Sequence, residues 1–96
     1  MMAYLTYILQ SLIDNSFYIG VTENLEIRLS EHNDGISKYT AKKKPWKIVY
    51  YKKFNTLSEA RKRETFLKKQ RNRQFYTKLI NNFKAQLVTP STRGDC

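Results

Sequence analysis

Apolar and polar residues follow one another along the 96-residue chain in patterns that predict three β-strands. Two runs rich in β-branched and aromatic residues, 4–11 and 17–22, predict the first two strands. A turn is predicted between them at Asp14-Asn15-Ser16, because these short side chains hydrogen-bond nearby backbone groups. The run at 47–54 predicts the third strand. The first two strands are therefore expected to pair as an antiparallel hairpin.

A first helix is predicted between the second and third strands. Asn24 is a favourable N-cap residue. The helix is expected to end at about Asn33, before the stop signal Asp34-Gly35. The lysine-rich residues 36–46 are predicted to form a basic loop that Pro45-Trp46 closes.

Two further helices are predicted after the third strand. Thr56 and Glu59 fit a capping box that opens a helix ending at about Lys69. A last helix is predicted over residues 73–84, where four apolar residues recur at helical spacing: Phe75, Leu79, Ile80 and Phe83.

The order β-β-α-β-α-α indicates a small α/β domain of the α+β type, with a three-stranded antiparallel sheet flanked by helices. The domain is predicted to span residues 1–84. Residues 85–96, which include Pro90 and Gly94 and are mostly small and polar, are predicted to be a disordered C-terminal tail.

Charge favours a polyanionic partner. Eighteen Lys and Arg residues against eight Asp and Glu residues give a net charge of +10, which suits nucleic acid or an acidic membrane face. A soluble basic protein without such a partner is the alternative.

Cys96 is the only cysteine, so an internal disulfide and a cysteine zinc site are excluded. Without a signal-peptide pattern or an apolar run of about 18 residues, the chain is predicted to be cytoplasmic and not membrane-bound.

Polar residues interrupt the apolar face of the first predicted helix. A step of about 100° per residue places Leu25, Arg28, Leu29 and His32 on one face. An arginine whose stem lies along apolar surface and a hydrogen-bonded histidine at the edge of the core would explain this pattern. The other explanation is that Arg28 and His32 have a function in a binding or catalytic site.

The second predicted helix has a carboxylate on its inward face. Three apolar residues mark that face: Leu57, Ala60 and Leu67. Glu64 lies within the same arc, and an inward carboxylate must be paired, hydrogen-bonded or bound to a metal. An ion pair with Arg61 or Lys68 is the structural alternative to a metal. Arg28, His32 and Glu64 near several strand tyrosines would suit phosphodiester chemistry.

The spacing of these residues resembles that of the GIY-YIG endonucleases. Leu5-Thr6-Tyr7 and Tyr18-Ile19-Gly20, ten residues apart, resemble the paired motifs that name the family. Arg28 lies eight positions after the second motif, His32 follows one turn later, and Glu64 lies on a later helix. The resemblance is to the small standalone bacterial branch of the family and covers about residues 4–83. The Gly and Ile of the family's first motif are replaced here by Leu5 and Thr6, so that only Tyr7 is kept. The family often carries an Asn after the Glu, and three residues are candidates for it: Asn72, Asn81 and Asn82.

The resemblance implies a metal-dependent DNA endonuclease that is structure-specific and acts in DNA repair or recombination. It implies that Glu64 holds one Mg²⁺ or Mn²⁺, since hard cations prefer carboxylate oxygen and keep several waters. Arg28 would bind the scissile phosphate with its planar fork. Tyr7 or Tyr18 would act as, or position, the general base, and His32 would relay a proton or contact phosphate.

Basic and aromatic residues near these positions are candidates for nucleic-acid binding. Residues 38–53 contain seven lysines and no acid. Gly20 is interpreted as a point of close backbone approach, and Trp46 is a candidate either for base stacking or for core packing. The other candidates are Tyr39, Lys42, Lys43, Lys44, Arg61 and Lys68.

Two further hypotheses remain beside the endonuclease. A catalytically weak nucleic-acid-binding module of the same fold is favoured by the altered first motif and the unplaced Asn. An RNA-binding protein is also consistent with the charge.

Overall fold

Three strands form one antiparallel sheet in the computed structural model, which describes residues 3–36 and 38–93. They are β1 (Tyr4–Ser11), β2 (Phe17–Thr22) and β3 (Trp46–Phe54). Their order is β2-β1-β3, so β1 is the central strand and pairs along both of its sides. The predicted strands and the hairpin are confirmed, with β3 starting one residue earlier than expected.

Four helices surround the sheet: α1 (Leu25–Asn33), α2 (Lys38–Ala41), α3 (Leu57–Gln70) and α4 (Arg73–Arg93). The three long ones give the predicted order and confirm the fold class. The short helix α2 corrects the prediction that residues 36–46 form a loop throughout. None of the helices in the described part of the chain has both the length and the hydropathy needed to cross a bilayer.

The predicted N-caps are confirmed by their side-chain hydrogen bonds. Asn24 Oδ1 accepts from the backbone N–H of Ile27 at 3.1 Å, and Thr56 Oγ1 accepts from that of Glu59 at 3.2 Å. Each bond satisfies a backbone donor that the first turn of a helix leaves without an internal partner.

Helix α4 is longer than the sequence pattern indicated. It was predicted to end at residue 84 and ends at Arg93. Residues 94–96 lie outside the described residues, and the division into a domain at 1–84 and a disordered tail at 85–96 stays a prediction.

The sheet has an apolar layer on each face, because successive strand residues point to opposite sides. Tyr7 and Leu9 of β1 pack with Trp46 against the α1 side, where Leu25 and Leu29 cover them. On the opposite face, Ile8 belongs to a cluster with residues of β2, β3, α3 and α4: Ile19, Val49, Tyr50, Leu67, Tyr76 and Ile80. Helix α1 therefore covers one face of the sheet, and α3 and α4 cover the other.

A buried hydrogen bond fixes α3 against the central strand. Thr6 Oγ1 donates to the backbone carbonyl of Ala60 at 2.7 Å, and both residues are fully buried. Leu67, two turns later, is also fully buried, whereas Leu57 is 39% exposed in the first turn. Ala60 and Leu67 mark the inward face as predicted, and the prediction for Leu57 is wrong because the first turn of α3 lines an open cleft.

Candidate functional site

Tyr7 lies at the centre of the candidate site, on the middle strand and fully buried. Its cross-strand partner in β2 is Gly20. A Cβ atom on Gly20 would lie 2.6 Å from the Tyr7 hydroxyl oxygen, so the missing side chain makes room for the phenol. The close approach inferred for Gly20 is thus to Tyr7, within the protein, and a contact of Gly20 with nucleic acid stays a prediction.

Tyr18 and His32 border the same phenol. The Tyr18 ring lies 6.4 Å from the Tyr7 ring and 4.8 Å from the His32 ring, between centroids. The Tyr7 hydroxyl lies 3.4 Å from His32 Nε2. Strand β2 and helix α1 thus bring the second predicted tyrosine and the predicted histidine to Tyr7.

His32 is buried and both of its ring nitrogens have partners. Its Nδ1 lies 2.8 Å from Thr40 Oγ1, and the residue is 3% exposed. Burial lowers the pKa of His32 below its ordinary value of 6.5; the positive charge of Arg28 also lowers it, and the charge of Glu31 opposes the shift. The imidazole is consequently neutral at pH 7, which suits a proton acceptor.

Arg28 reaches Tyr7 from α1 while remaining accessible. Its Nε lies 3.1 Å from Glu31 Oε1, and its side chain is 41% exposed. Both its charge and a hydrogen-bonding interaction of its guanidinium act on the Tyr7 hydroxyl to lower the phenol pKa. A partly exposed guanidinium at a buried phenol is suited to binding an anion brought from solvent.

The pKa of Tyr7 nevertheless rises to about 12, above the ordinary value of 10.0. Burial is the main cause, the neighbouring Tyr18 adds to it, Arg28 opposes it, and the negative charge of Glu64 also raises the pKa. In the protein alone, the positive charge of Arg28 is therefore too weak to offset burial and make the phenol an effective general base. Tyr7 stays protonated at neutral pH.

Glu64 approaches the site from α3. Its side chain is 20% exposed, and Oε2 lies 3.0 Å from Nζ of Lys68, which is itself 56% exposed. Lys68 is therefore the ion-pair partner that the helical spacing allowed. The charges of Arg28 and Glu64, which lie on helices that cover opposite faces of the sheet, both shift the pKa of Tyr7.

The residues around Glu64 limit the kind of metal site that is possible. Among residues 3–36 and 38–93, no three His, Cys, Asp or Glu side chains form a cluster fit for a metal ion. A cation at Glu64 would therefore have fewer than three such side chains as ligands. A carboxylate that is 20% exposed, with a half-exposed lysine as its partner, fits a hard cation that retains most of its waters.

A cleft of about 420 Å³ opens beside Arg28 between α1 and α3. It passes around the edge strand β2 at Val21 and Thr22, and Arg61 of α3 lies on its far wall. Exposed apolar side chains, Ile27 at 57% and Leu57 at 39%, also line it. The cleft is thus lined by two arginines, Arg28 and Arg61, and by two exposed apolar side chains.

The predicted basic and aromatic residues of 38–53 have different environments. Lys42 is exposed, whereas Lys43 pairs with Asp14 of the β1–β2 turn at 3.4 Å. Lys44 Nζ lies beside Gly35. Trp46 is 4% exposed and packs in the core, so it is not a base-stacking residue. The side chain of Tyr39 lies outside the described part of the structure.

Thr40 is the site residue that the sequence did not identify. It is fully buried on α2, its hydroxyl contacts His32, and its carbonyl accepts the indole N–H of Trp46 at 3.0 Å. The available signal was its position directly after Tyr39, which was already a candidate for nucleic-acid binding.

Comparison with known proteins shows which sequence family the chain belongs to. The family model of the GIY-YIG catalytic domain matches residues 3–81. A UPF0213 protein of Listeria welshimeri is 44% identical over 66 residues, which are 66% of this chain and 73% of that protein. A UPF0213 protein of Clostridium perfringens is 40% identical over 77 residues, 79% of this chain and 73% of that one. The solution NMR structure of a UPF0213 protein from Bacillus halodurans has 30% identity and a TM-score of 0.48, covering 92% of this chain and 84% of that one.

Proposed function

Because the chain belongs to the GIY-YIG nuclease family, we propose that it is a metal-dependent endonuclease that hydrolyses phosphodiester bonds in DNA. One observation carries the proposal. The buried phenol of Tyr7 meets Tyr18 from β2 and His32 from α1, and its pKa responds to the charges of Arg28 and Glu64. A phosphate-binding arginine, a proton acceptor and a carboxylate at one tyrosine are the parts that such hydrolysis needs.

Arg28 is assigned to the scissile phosphate. Its present partner Glu31 is 44% exposed, so the pair is a surface ion pair that costs little to exchange. A phosphate offers the guanidinium two oxygens in the geometry of its fork. Binding would place the phosphate beside Tyr7.

Tyr7 and Tyr18 are the two candidates for the general base. The raised pKa of Tyr7, about 12, argues against a standing phenolate at that residue. Tyr7 therefore needs a group that takes its own proton when it accepts one from water, and neutral His32 is the neighbour able to do so. Tyr18 remains the alternative base.

Glu64 would hold one Mg²⁺ or Mn²⁺. The bound cation would supply positive charge that stabilises the developing phosphorane and the leaving oxygen. Lys68 would then lose its partner and become available to a DNA phosphate, as would Arg61 in the cleft.

The cleft supports specificity for branched or flapped DNA. At about 420 Å³, with apolar walls at Ile27 and Leu57 and arginines at either side, it is large enough for a nucleotide outside a duplex. Such nucleotides occur at junctions, flaps and nicks, in keeping with a role in repair or recombination inside the cytoplasm.

A catalytically weak DNA-binding module is the second candidate function. The observation that favours it is the ion pair between Glu64 and Lys68, which satisfies the carboxylate without a metal. In that case the site would bind phosphate through Arg28 and cleave nothing.

One experiment separates the two functions. Branched, flapped, single-stranded and duplex DNA are incubated with the protein and Mg²⁺, Mn²⁺ or EDTA. We expect cleavage of branched or flapped DNA with either metal, none with EDTA, and none by Arg28→Ala. Binding without cleavage in every metal condition would establish the binding module.

A further inference from the structure

A chain of buried hydrogen-bonding contacts runs from Tyr7 through His32 to Thr40. Thr40 Oγ1 is 2.8 Å from His32 Nδ1, and His32 Nε2 is 3.4 Å from the Tyr7 hydroxyl. Tyr7 and Thr40 are fully buried and His32 is 3% exposed. None of the roles assigned above uses Thr40.

The backbone of Thr40 is also hydrogen-bonded, through its carbonyl. The indole N–H of Trp46, at the start of β3, donates to the Thr40 carbonyl at 3.0 Å. The backbone N–H of Trp46 donates to Asn33 Oδ1 at 2.6 Å, which ties β3 to the end of the helix that carries His32. The hydroxyl is thus fixed relative to the imidazole by two elements.

The hydrogen-bonding partners of His32 favour one of its two neutral tautomers. A neutral imidazole has one donor nitrogen and one acceptor nitrogen. Arg28 can only donate, so its interaction with the phenol uses a lone pair on the Tyr7 oxygen. The Tyr7 hydroxyl keeps its own proton, and His32 Nε2 lies within reach to accept it. When Nε2 accepts, Nδ1 carries the hydrogen and donates it to Thr40 Oγ1.

We propose that Thr40 is a positioning residue that holds His32 as the Nδ1–H tautomer, with the Nε2 lone pair directed at the Tyr7 hydroxyl. Its catalytic consequence rests on the proposed nuclease function. The tautomer itself does not.

The consequence is a proton relay that needs no standing phenolate. As water attacks phosphorus, one of its O–H bonds breaks and that proton bonds to the Tyr7 oxygen. The Tyr7 O–H bond breaks in the same event, and its proton bonds to His32 Nε2. The remaining hydroxide forms the new P–O bond as the P–O bond to the leaving nucleotide oxygen breaks, and that oxygen takes a proton from solvent. His32 becomes an imidazolium whose Nδ1–H still donates to Thr40. In the opposite tautomer Nε2 already carries a hydrogen, and the relay is blocked.

The chain contains a single histidine, so its imidazole signals are unambiguous. Long-range ¹H–¹⁵N correlation spectra of the ¹⁵N-labelled protein, above the pKa of His32, report which nitrogen is protonated. We expect Nδ1–H in the wild type, a shift of the population toward Nε2–H in Thr40→Val, and return to Nδ1–H in Thr40→Ser. Valine matches threonine in shape and leaves the carbonyl bond to Trp46 in place.

A wild-type spectrum with Nε2–H, or a Thr40→Val spectrum unchanged from wild type, would overturn the proposal. If Thr40→Val does not fold, Thr40→Ala, which also lacks the hydroxyl, takes its place in the same comparison with the wild type and Thr40→Ser. Cleavage kinetics give a second measurement: kcat should fall about 10- to 100-fold in Thr40→Val with KM for DNA unchanged, and recover in Thr40→Ser. An inactive protein with the Nδ1–H tautomer would leave this proposal intact and remove the nuclease function.

Discussion

The hydroxyl oxygen of Tyr7 occupies the space that a side chain at Gly20 would need. The two residues are directly opposite each other in the β1–β2 pair, and a Cβ at residue 20 would lie 2.6 Å from that oxygen and 2.8 Å from Cζ. The tyrosine of the first motif therefore explains the glycine of the second. The two sequence motifs that define the family are thus joined in the structure by the contact between Tyr7 and Gly20.

Gly20→Ala is accordingly expected to destabilise the protein by about 1–3 kcal/mol, the usual cost of overpacking. The phenol must move, which also breaks the contact of its hydroxyl with His32. Urea unfolding measures the first effect. In a Tyr7→Phe background the 2.6 Å contact is gone and the cost of the alanine should be smaller. Equal costs in the two backgrounds would show that the Tyr7 hydroxyl is not the obstacle.

Glu64→Gln tests whether the carboxylate acts in catalysis. We expect cleavage at saturating DNA to fall at least about 100-fold, because an amide is a poor ligand for a divalent cation. The free energy of unfolding should change by no more than about 0.5 kcal/mol, since the pair with half-exposed Lys68 is an i,i+4 surface pair. Activity and urea unfolding are measured on the same preparation.

Lys68→Gln is the matched control for that variant. It breaks the same ion pair and keeps the carboxylate, so turnover at saturating DNA should persist while KM rises through loss of one positive charge. If both variants lose turnover equally, the ion pair and not a metal at Glu64 is what the site requires.

DNA binding is expected to weaken steeply with salt, because each neutralised phosphate releases condensed counterions. Between about 50 and 200 mM salt the logarithm of the affinity should fall linearly with the logarithm of the salt concentration. Arg61→Ala, in the cleft, should reduce that slope by about 0.9, whereas Lys78→Ala, exposed on α4, should not. Fluorescence anisotropy of labelled DNA gives the slopes. A slope unaffected by Arg61→Ala would remove the cleft from the DNA-binding surface.

His32 is expected to make the protein less stable in mild acid. Its folded-state pKa is lowered, mainly by burial, from the ordinary 6.5, so the unfolded chain binds the proton more readily. The stability that this residue contributes is intact above pH 6.5 and is lost as the pH falls below that value toward the lowered pKa. From about pH 7.5 to about pH 5.5, Tm should fall more in the wild type than in His32→Gln, which has no imidazole to titrate. Parallel losses of Tm would assign the acid sensitivity to other groups.

Local sequence signals predicted most of the elements. Asn24 and Thr56 cap their helices as expected, because an N-cap needs only the side chain and the next few backbone amides. Helix α2 was missed because four residues among lysines carry no apolar period. Leu57 was placed on the inward face by its spacing, but spacing does not tell where the sheet beneath a helix stops.

The chemistry of the site was only partly predictable. Spacing and resemblance selected residues that the fold does bring to Tyr7, among them Arg28 and His32. The contact of Thr40 with His32 depends on how α2 lies against α1. Helical spacing allowed Glu64 to pair with either Arg61 or Lys68, and the structure shows the pair with Lys68. The shift of the Tyr7 pKa depends on burial, which a one-dimensional pattern does not measure.

Thr6 and Tyr7 are consecutive residues that point to opposite faces of the central strand. Thr6 holds the turn of α3 that precedes Glu64, and Tyr7 meets Arg28 and His32 of α1. The two halves of the site are thus aligned by a single peptide unit, with no dependence on the length of the connections between elements. Insertions in the exposed β1–β2 turn or at the α3–α4 junction should leave the alignment unchanged. The connecting loops can thus change in length while the positions of Tyr7, Arg28 and Glu64 relative to one another are kept.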